Sequence, residues 1–215
     1  MKVTVGISCY KQKKWLYRCL RSLENQTLPK DEFEVVIVND DPEESLEDVC
    51  EIVKDRINVR IIKNPTNLGL PSSLNKILKT ARGRYFVRVD SDDYVSSHFL
   101  QTLSLILDLN RTYQAVSCDY SKVNEVGTPI KVCSYQEEPI ACGIMFTYES
   151  LCDINFYDEN FKMREGHDLI ERFSNRFKIF HLPVSLYRYR MHEHNRTNNS
   201  EELKIYDTLL KGKYQ

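Results

Sequence analysis

Residues 83–95 read GRYFVRVDSDDYV, an apolar run that leads directly into a cluster of acids. Tyr85–Val89 has the composition of a buried strand, and Asp90, Asp92 and Asp93 follow it at once. Carboxylates this close repel one another, and a loop that carries Asp-x-Asp can aim two of them at one cation. Oxygen ligands suit hard divalent ions such as Mg²⁺ or Mn²⁺, which keep positions open for phosphate oxygens. The stretch therefore predicts a strand end that holds a divalent ion together with a phosphate-bearing ligand.

The first half of the chain alternates between two hydrophobic patterns. Short apolar runs that predict strands occur at residues 3–7, 34–38, 59–62 and 85–89. Apolar residues at helical spacing follow these runs, at 15–23, 46–53, 70–81 and 99–107. This alternation is typical of an α/β fold with a Rossmann-like, mostly parallel central sheet flanked by helices. Right-handed crossovers then place the carboxyl ends of the strands along one edge, where such sheets bind ligands.

From about residue 115 the pattern changes. Strand-like segments at 115–120, 130–135 and 143–147 come without long helices between them, and a helix is predicted at 165–175. Two more strand-like segments, 178–181 and 184–190, precede a charged tail that predicts a terminal helix. No Gly-, Pro- or Ser-rich linker divides the sequence. We therefore expect a single domain over 1–215 with two functional halves, the second smaller and of mixed strand direction.

Composition excludes several classes of protein. The 30 basic and 31 acidic residues give a net charge of −1, so no overall field attracts nucleic acid or an anionic membrane. The first residues hold too short an apolar run for a signal peptide, and no stretch is long enough to span a bilayer. The seven cysteines are odd in number and never spaced Cys-x-x-Cys, which favours free thiols in a reducing compartment. We expect a soluble, cytoplasmic protein.

Polar residues gather where the predicted strands end. The four groups are Ser8-Cys9-Tyr10, Asn39-Asp40-Asp41, Asn64 to Gly69, and Asp90 to Asp93. Each group has a local alternative, because Asp, Asn and Gly are also residues of turns and helix caps. Asp93 or Ser96, for example, is a candidate cap for the helix that carries Phe99. Asp90 and Asp92 have no such structural role, so they carry the prediction of a site.

These polar groups stand in motifs that resemble the family 2 glycosyltransferases of GT-A fold, over nearly the whole chain. Five segments carry the resemblance in the family's order: VTVGISCYKQKKWLYRCLRSLENQT, VVIVNDDPEE, NLGLPSSLNKILKTARGRYFVRVDSDDYV, FYDENFKMREGHDLIERF and LYRYRMHEHNRT. The third segment is the most specific. The resemblance implies a nucleotide-sugar-binding half at about 1–114 and an acceptor-binding half with the C-terminal segment at about 115–215.

The resemblance gives each polar strand end a role in binding a nucleotide-sugar. The residues implied to contact its base, ribose or diphosphate are Ser8, Tyr10, Asp40, Asn67, Asn75, Lys76, Asp90, Ser91 and Arg190. Asp40 would accept a hydrogen bond from the imide N–H of a base such as uracil. Lys76 would help to neutralise the phosphates, because Leu74 stands where the family often has arginine. Residues 196–199 would order over the bound donor.

The resemblance also implies a metal ion and a base. Asp92 and His192 would hold Mn²⁺ or Mg²⁺, with Asp93 either supporting that site or capping the next helix. The family pattern reads Glu-Asp-x-Asp where this chain has REGHD at 164–168, and the first Asp is commonly the base. Because Gly166 holds that position, the base is expected to be Glu165 or Asp168. Either acid could instead only stabilise the first turn of the helix.

The function implied is metal-dependent, inverting transfer of a hexose from a nucleotide-diphosphate sugar to a hydroxyl of a glycan or glycoconjugate. A UDP-sugar such as UDP-glucose or a UDP-deoxyhexose is the favoured donor, and no nucleic acid partner is expected. Two alternatives stay open. A non-catalytic nucleotide-sugar-binding module would explain Gly166. An Asp-x-Asp phosphate-handling hydrolase would need that motif after an early strand, whereas here it follows the fourth.

Overall fold

The strands and helices begin and end close to the patterns of the sequence. The computed structural model describes residues 1–214, so Gln215, the last residue of the predicted domain, lies outside the described residues. The strands are β1 (Val3–Cys9), β2 (Phe33–Asn39), β3 (Asn58–Lys63), β4 (Tyr85–Arg88), β5 (Tyr94–Val95), β6 (Ala115–Val123), β7 (Pro129–Cys133), β8 (Met145–Thr147) and β9 (Ile179–Arg190). The helices are α1 (Lys13–Glu24), α2 (Glu47–Glu51), α3 (Leu70–Thr80), α4 (Phe99–Leu109), α5 (Tyr148–Asp153), α6 (Glu165–Ser174) and α7 (Ser200–Tyr214). Across residues 1–214, no helix combines the length and the apolar character needed to cross a membrane.

Four strands of the first half form the parallel part of the sheet, in the order β3-β2-β1-β4. The first three are each followed by a helix, and the acidic loop after β4 leads through the short strand β5 into α4. All four carboxyl ends therefore lie at one edge, which brings together the polar loops that follow them. This arrangement confirms the predicted Rossmann-like α/β fold.

The second half extends the same sheet. β8 lies between β4 and β6 and is antiparallel to both, β6 is parallel to β9, and β9 is antiparallel to β5. The prediction of two separate strands on either side of Pro183 is wrong, because β9 runs from Ile179 to Arg190. Its pairing with β6 skips from Leu182 to Ser185. Pro183, which has no N–H to donate, therefore lies in a bulge of the strand.

Both faces of β1, β2 and β4 are buried, which explains their apolar runs, whereas β3 at the edge of the sheet is partly exposed. Along β2, Val35 and Ile37 belong to one core with residues of α1 and α4. The alternate residues, Val36 and Val38, belong to a second core with residues of α3 and α6. All four side chains are fully buried. The sheet thus forms a rigid layer between two hydrophobic cores. These cores pack against both of its faces and so support its polar edge.

Replacement of Ile37 by alanine measures how strongly this layer is packed. Because Ile37 is fully buried, Ile37→Ala is expected to lower the free energy of unfolding by about 2–5 kcal/mol. The matched control is Ile130→Ala, since Ile130 is 61% exposed and its loss is expected to change stability by about 0.5 kcal/mol or less. Urea denaturation measures both variants. Equal effects of the two substitutions would contradict the placement of Ile37 in the core.

Candidate active site

A cavity of about 830 Å³ opens at the edge where the parallel strands end. Loops that follow β1 to β4 form one wall, and residues 139–142, 162–167, 194–197 and 202–203 of the second half form the other. The predicted site residues that line it are Ser8, Tyr10, Asp40, Asn67, Asp90, Ser91, Asp92 and Glu165. One cavity thus brings together residues that the sequence analysis assigned to both halves of the chain.

Asp92 and His192, the predicted metal ligands, lie side by side. Nε2 of His192 is 2.9 Å from Oδ2 of Asp92. Gln12 donates to the same oxygen at 3.0 Å, and the hydroxyl of Ser91 donates to Gln12 at 2.6 Å. The side chain of His192 is buried, and its Nδ1 has no hydrogen-bond partner in the part of the chain that the structure describes. The loops after β1 and β9 therefore fix this pair, in which Asp92 lines the cavity and His192 is buried next to it without lining it.

Asp93 is buried beneath the site and does not cap α4. Its carboxylate accepts hydrogen bonds from the hydroxyl of Tyr187 at 2.7 Å and from the backbone N–H of Arg190 at 2.8 Å. α4 begins after His98 with no side-chain cap. Of the two expected roles of Asp93, the structure therefore supports the first, because its carboxylate ties the acidic loop to β9.

A second group of potential metal ligands lies near the first. Single atoms of Asp90, Asp93 and Cys142 approach within 4.8 Å of one another. Burial, with help from Asp92 and Asp90, raises the pKa of Asp93 well above its ordinary value, and burial likewise raises the pKa of the Cys142 thiol. Metal ligands must be deprotonated. Asp92 and His192 consequently form the better candidate site for a divalent ion.

Arg190 supports the metal-ligand pair but does not line the cavity. Its Nε donates to the backbone carbonyl of Asp92 at 2.7 Å, and its guanidinium lies 4.4 Å from the centre of the Trp15 ring. Trp15 in turn stacks on His192, with 5.5 Å between ring centres. Burial, together with Arg18, lowers the pKa of Arg190, which is only 1% exposed. In this structure the side chain is enclosed behind Asp92 and supports the acidic loop, and its contact with a diphosphate stays a prediction.

Asp40 organises the loop after β3. Its Oδ1 accepts hydrogen bonds from Asn64 Nδ2 at 2.7 Å and from the backbone N–H of Leu68 at 2.8 Å, and its Oδ2 accepts from Gly69 N–H at 2.9 Å. Gly69 has φ of 86°, a conformation that favours glycine. A carboxylate offers about four acceptor positions, so Asp40 retains one for a ligand in the cavity.

Asn75 and Lys76 lie outside the cavity, and their expected role along the donor stays a prediction. Asn75 accepts a hydrogen bond from the backbone N–H of Tyr157 and donates to its carbonyl, both at 3.0 Å. Lys76 donates to the side-chain oxygen of Asn64 at 2.6 Å. Both side chains are thus engaged with protein groups: Asn75 holds the segment before α6, and Lys76 supports the loop that Asp40 orders.

Glu165 and Asp168, the two candidates for the base, occupy different surroundings. Glu165 lines the cavity and accepts one hydrogen bond, from Arg88 at 2.7 Å, through Oε1. Asp168 is fully buried and does not line the cavity. It accepts hydrogen bonds from Arg172 at 2.9 Å and from Lys213 and Tyr214 at 2.7 Å each, so it ties α6 to α7. Of the two predicted candidates, Glu165 is therefore the one that faces the cavity, while Asp168 is engaged by residues of α6 and α7.

Gly166 has a packing reason to be glycine. A Cβ atom built at this position would overlap the Cβ of Ala141 in the loop before β8. The wall of the cavity thus occupies the space that an aspartate of the family pattern would need. The acid that faces the cavity from the start of α6 is the preceding residue, Glu165.

Several polar residues of the cavity were not among the predicted site residues, and Gln12, Arg88 and His167 are three of them. Gln12 fixes Asp92, Arg88 contacts both Asp90 and Glu165, and His167 lies beside Glu165 on the first turn of α6. Burial, together with Arg164, lowers the pKa of His167. An arginine within an apolar strand is the one sequence signal that points to Arg88. Gln12 gives no such signal, because its partners, Ser91 and Asp92, come from a distant part of the chain.

Comparison with known proteins shows the family. Residues 4–160 match the family described as glycosyl transferase family 2, and the chain belongs to that family. Poly(ribitol-phosphate) beta-glucosyltransferase of Bacillus spizizenii is 37% identical over 102 residues, which are 46% of this chain and 16% of that protein. Poly(ribitol-phosphate) beta-N-acetylglucosaminyltransferase TarS of Staphylococcus aureus is 34% identical over 109 residues, or 50% of this chain and 19% of that protein. The match therefore spans less than a fifth of either relative.

Solved structures share the fold over almost the whole chain. Residues 1–349 of S. aureus TarS superpose with a TM-score of 0.80 at 22% identity, over 98% of this chain and 64% of that one. The same protein in complex with UDP-GlcNAc gives a TM-score of 0.78 at 22% identity, over 97% of this chain and 66% of that one. Mannosyltransferase PcManGT from Pyrobaculum calidifontis, in complex with GDP-Man and Mn2+, gives 0.74 at 15% identity, over 99% and 63%. These likenesses show the GT-A fold.

Substitution of Gly166 tests whether its position leaves no room for a side chain. Gly166→Ala is expected to lower the free energy of unfolding by about 1–3 kcal/mol, because the new methyl group overpacks against Ala141. The matched control is Gly212→Ala in α7, where a Cβ would have no neighbour within 4 Å. That substitution is expected to stabilise the helix by up to about 1 kcal/mol.

Thermal or urea denaturation measures both glycine variants. The double variant Gly166→Ala with Ala141→Gly is expected to recover stability, since it removes the methyl group on the other side of the contact. Stabilisation by Gly166→Ala equal to that by Gly212→Ala would show that the site can take a side chain after all.

Proposed function

We propose that the chain is a metal-dependent, inverting glycosyltransferase that moves a hexose from a nucleotide-diphosphate sugar to a hydroxyl of a glycan or glycoconjugate. One observation carries the proposal. Asp92, which is paired with the buried His192, and the carboxylate of Glu165 line one cavity, whose walls come from the two halves of the chain. The first half, about 1–114, then binds the donor, and the second, about 115–215, binds the acceptor.

The donor set of Asp92 and His192 fits a divalent ion. Adjacent ligands of an octahedral ion at about 2.1 Å are about 3 Å apart, and Oδ2 and Nε2 are separated by 2.9 Å. Oxygen and imidazole nitrogen together favour Mn²⁺, with Mg²⁺ as the alternative. Two protein ligands suffice where phosphate oxygens complete the coordination. When bound, the ion supplies positive charge to the diphosphate that leaves the sugar.

A uridine diphosphate sugar is the favoured donor. Asp40 lines the cavity and retains an acceptor position for the imide N–H of uracil. The fold is shared with TarS in complex with UDP-GlcNAc, which supports the same class of donor here. Ser8, Tyr10 and Asn67 line the same wall and would contact the nucleoside. The sugar itself is proposed only as a hexose, with UDP-glucose or a UDP-deoxyhexose as the first to test.

Glu165 is the proposed base. An acceptor hydroxyl oxygen attacks the anomeric carbon as the bond from that carbon to the phosphate oxygen breaks, and the bonding electron pair leaves with the nucleoside diphosphate. The hydroxyl proton passes to the carboxylate of Glu165. Because its Oε1 accepts from Arg88, its Oε2 is the oxygen that can take this proton. One displacement of this kind inverts the anomeric centre.

The acceptor and the cellular location follow from weaker observations. Relatives named for poly(ribitol-phosphate) support an acceptor that is a hydroxyl of a polyol-phosphate polymer or a related glycoconjugate. The seven cysteines have free thiols and six of them are buried, which supports a reducing compartment such as the cytoplasm.

A non-catalytic binding module is the second candidate, because Gly166 leaves the family's usual base position without a side chain.

Metal dependence is tested by ligand-induced stabilisation. A UDP-sugar at a hundredfold excess over its Kd is expected to stabilise the wild type by about 3 kcal/mol when Mn²⁺ is present, and little without it. Asp92→Asn keeps the size of the side chain but weakens the ligand, so this variant is expected to lose the response. Differential scanning fluorimetry with UDP-glucose and UDP-GlcNAc measures the effect.

The control for Asp92→Asn is Asp31→Ala, which removes an exposed carboxylate from the loop before β2. It should respond to UDP-sugar and Mn²⁺ as the wild type does. Stabilisation that needs no metal, or a full response by Asp92→Asn, would contradict the metal site.

Substitution of the two acids separates the enzyme from the binding module. Glu165→Gln is expected to slow sugar transfer or donor hydrolysis by about 10²–10⁴-fold, because the proton acceptor is lost, while donor binding persists. Asp168→Asn is the matched control on the same helix. It is expected to lower the free energy of unfolding by about 1–3 kcal/mol but to leave the rate per folded molecule near that of the wild type.

Release of UDP from UDP-glucose, with water or a glycan as acceptor, measures the rate. If the wild type binds the donor with Mn²⁺ but never releases UDP, the binding module is correct. If Asp168→Asn is slow and Glu165→Gln is not, the assignment of the base is wrong.

A further inference from the structure

Arg88 interrupts the apolar strand that precedes the acidic loop. The three residues before it in β4, Tyr85, Phe86 and Val87, are fully buried, and Arg88 itself is only 7% exposed. A guanidinium in such a position cannot lose its proton and needs carboxylates around it. Its presence at the last residue of β4 therefore requires an explanation that the donor and metal sites do not give.

Two carboxylates from different parts of the chain surround this guanidinium. Nε and Nη2 donate to the two oxygens of Asp90 at 2.6 and 3.0 Å, which is a bidentate ion pair. Nη1 donates to Oε1 of Glu165 at 2.7 Å. One planar group thus joins the loop that is proposed to hold the nucleoside to the first residue of α6. No other residue between 1 and 214 hydrogen-bonds to the carboxylate of Glu165.

The charge of Arg88 is secured by these partners. Burial by itself would lower the pKa of the guanidinium, but Asp90 and Glu165 outweigh that effect and raise its pKa well above the ordinary value. The backbone carbonyl of Arg88 also accepts a hydrogen bond from Gly143 N–H at 3.0 Å, which fixes the strand against the loop before β8. A cation held this firmly fixes the direction of any carboxylate that it contacts.

The contact with Arg88 engages only one of the two carboxylate oxygens of Glu165. Its Oε1 is bound to Arg88, and its Oε2 accepts no hydrogen bond from the described residues, although the side chain borders the cavity. Gly166 behind it is packed against Ala141, and Arg164 before it has φ of 62°, so the backbone at this point has little freedom. The orientation of Glu165 within the cavity is therefore set by Arg88 in front and by the backbone behind.

We propose that Arg88 is the positioning residue of the reaction. Its hydrogen bond orients the carboxylate of Glu165 toward the acceptor side of the cavity, and its ion pair couples that orientation to Asp90 on the donor side. This inference rests on the proposed function, in which Glu165 is the base. A donor that draws Asp90 toward its ribose would act on the guanidinium and, through it, on Glu165. Arg88 itself touches neither the acceptor hydroxyl nor the anomeric carbon.

A double-mutant cycle tests this role, with UDP release from UDP-glucose in the presence of Mn²⁺ as the rate. Arg88→Met is expected to lower kcat by about 10–100-fold with little change in KM, because misplacement of a catalytic group by about 1 Å has effects of this size. Arg88→Lys keeps the charge and is expected to recover part of the rate. The double variant Arg88→Met with Glu165→Gln should be no slower than Glu165→Gln alone, since both changes remove the same function.

Arg172→Met is the matched control, because Arg172 pairs with Asp168 on the same helix but outside the cavity. It is expected to reduce stability and leave kcat near wild type. Stabilisation of Arg88→Met by UDP-glucose with Mn²⁺ verifies that the variant is folded and binds donor. If the losses of Arg88→Met and Glu165→Gln multiply in the double variant, or if Arg88→Met raises KM alone, the positioning role is wrong while the proposed function stands. If the wild type releases no nucleoside diphosphate from any nucleotide-sugar, the proposed function is wrong, and the role of Arg88 is wrong with it.

Discussion

Asp90, Asp92 and Asp93 repel one another, and the fold keeps them together by giving each carboxylate a different partner. Asp90 is neutralised by the buried guanidinium of Arg88. Asp93 is enclosed by Tyr187 and the backbone of β9. Asp92 lines the cavity as Asp90 does, but its partners are Gln12 and His192 and not an arginine. The separation of these partners decides which acid can serve a ligand, because a carboxylate that is neutralised inside the protein is no longer free to bind a cation.

The same contacts join the two halves of the chain. Tyr187, Arg190 and His192 come from β9 and the loop after it, and all three reach the acidic loop that follows β4. Arg88 makes the corresponding contact in the other direction, from β4 to the start of α6. The sheet supports this arrangement, since β9 pairs with β5 just beyond the acidic loop. The cavity therefore lies at the edge of one sheet that contains strands from both parts of the chain.

Much of this arrangement could be predicted from sequence, for a physical reason. The parallel strands β1, β2 and β4 are buried on both faces, so their apolar runs and the polar residues that follow them are visible without any knowledge of tertiary contacts. What could not be predicted is which polar side chains face the cavity. Asn75, Asp168 and Arg190 have the residue types of ligand-binding groups, but Tyr157, Lys213 and Asp92 occupy them within the protein. Those partners lie far away in sequence, and no local pattern reports them.

The central claim is that Asp92 and His192 hold one divalent ion together with the diphosphate of the donor. Electron spin echo envelope modulation of Mn²⁺ bound in the presence of UDP tests it directly, because the method detects nuclei that are coupled to the ion. If both side chains and the diphosphate bind the ion, the spectrum shows modulation from one imidazole nitrogen and from phosphorus. The nitrogen signal is then absent in His192→Gln. A spectrum with phosphorus but no nitrogen coupling in the wild type would contradict the role of His192, and Mn²⁺ binding that survives Asp92→Asn would contradict the site as a whole.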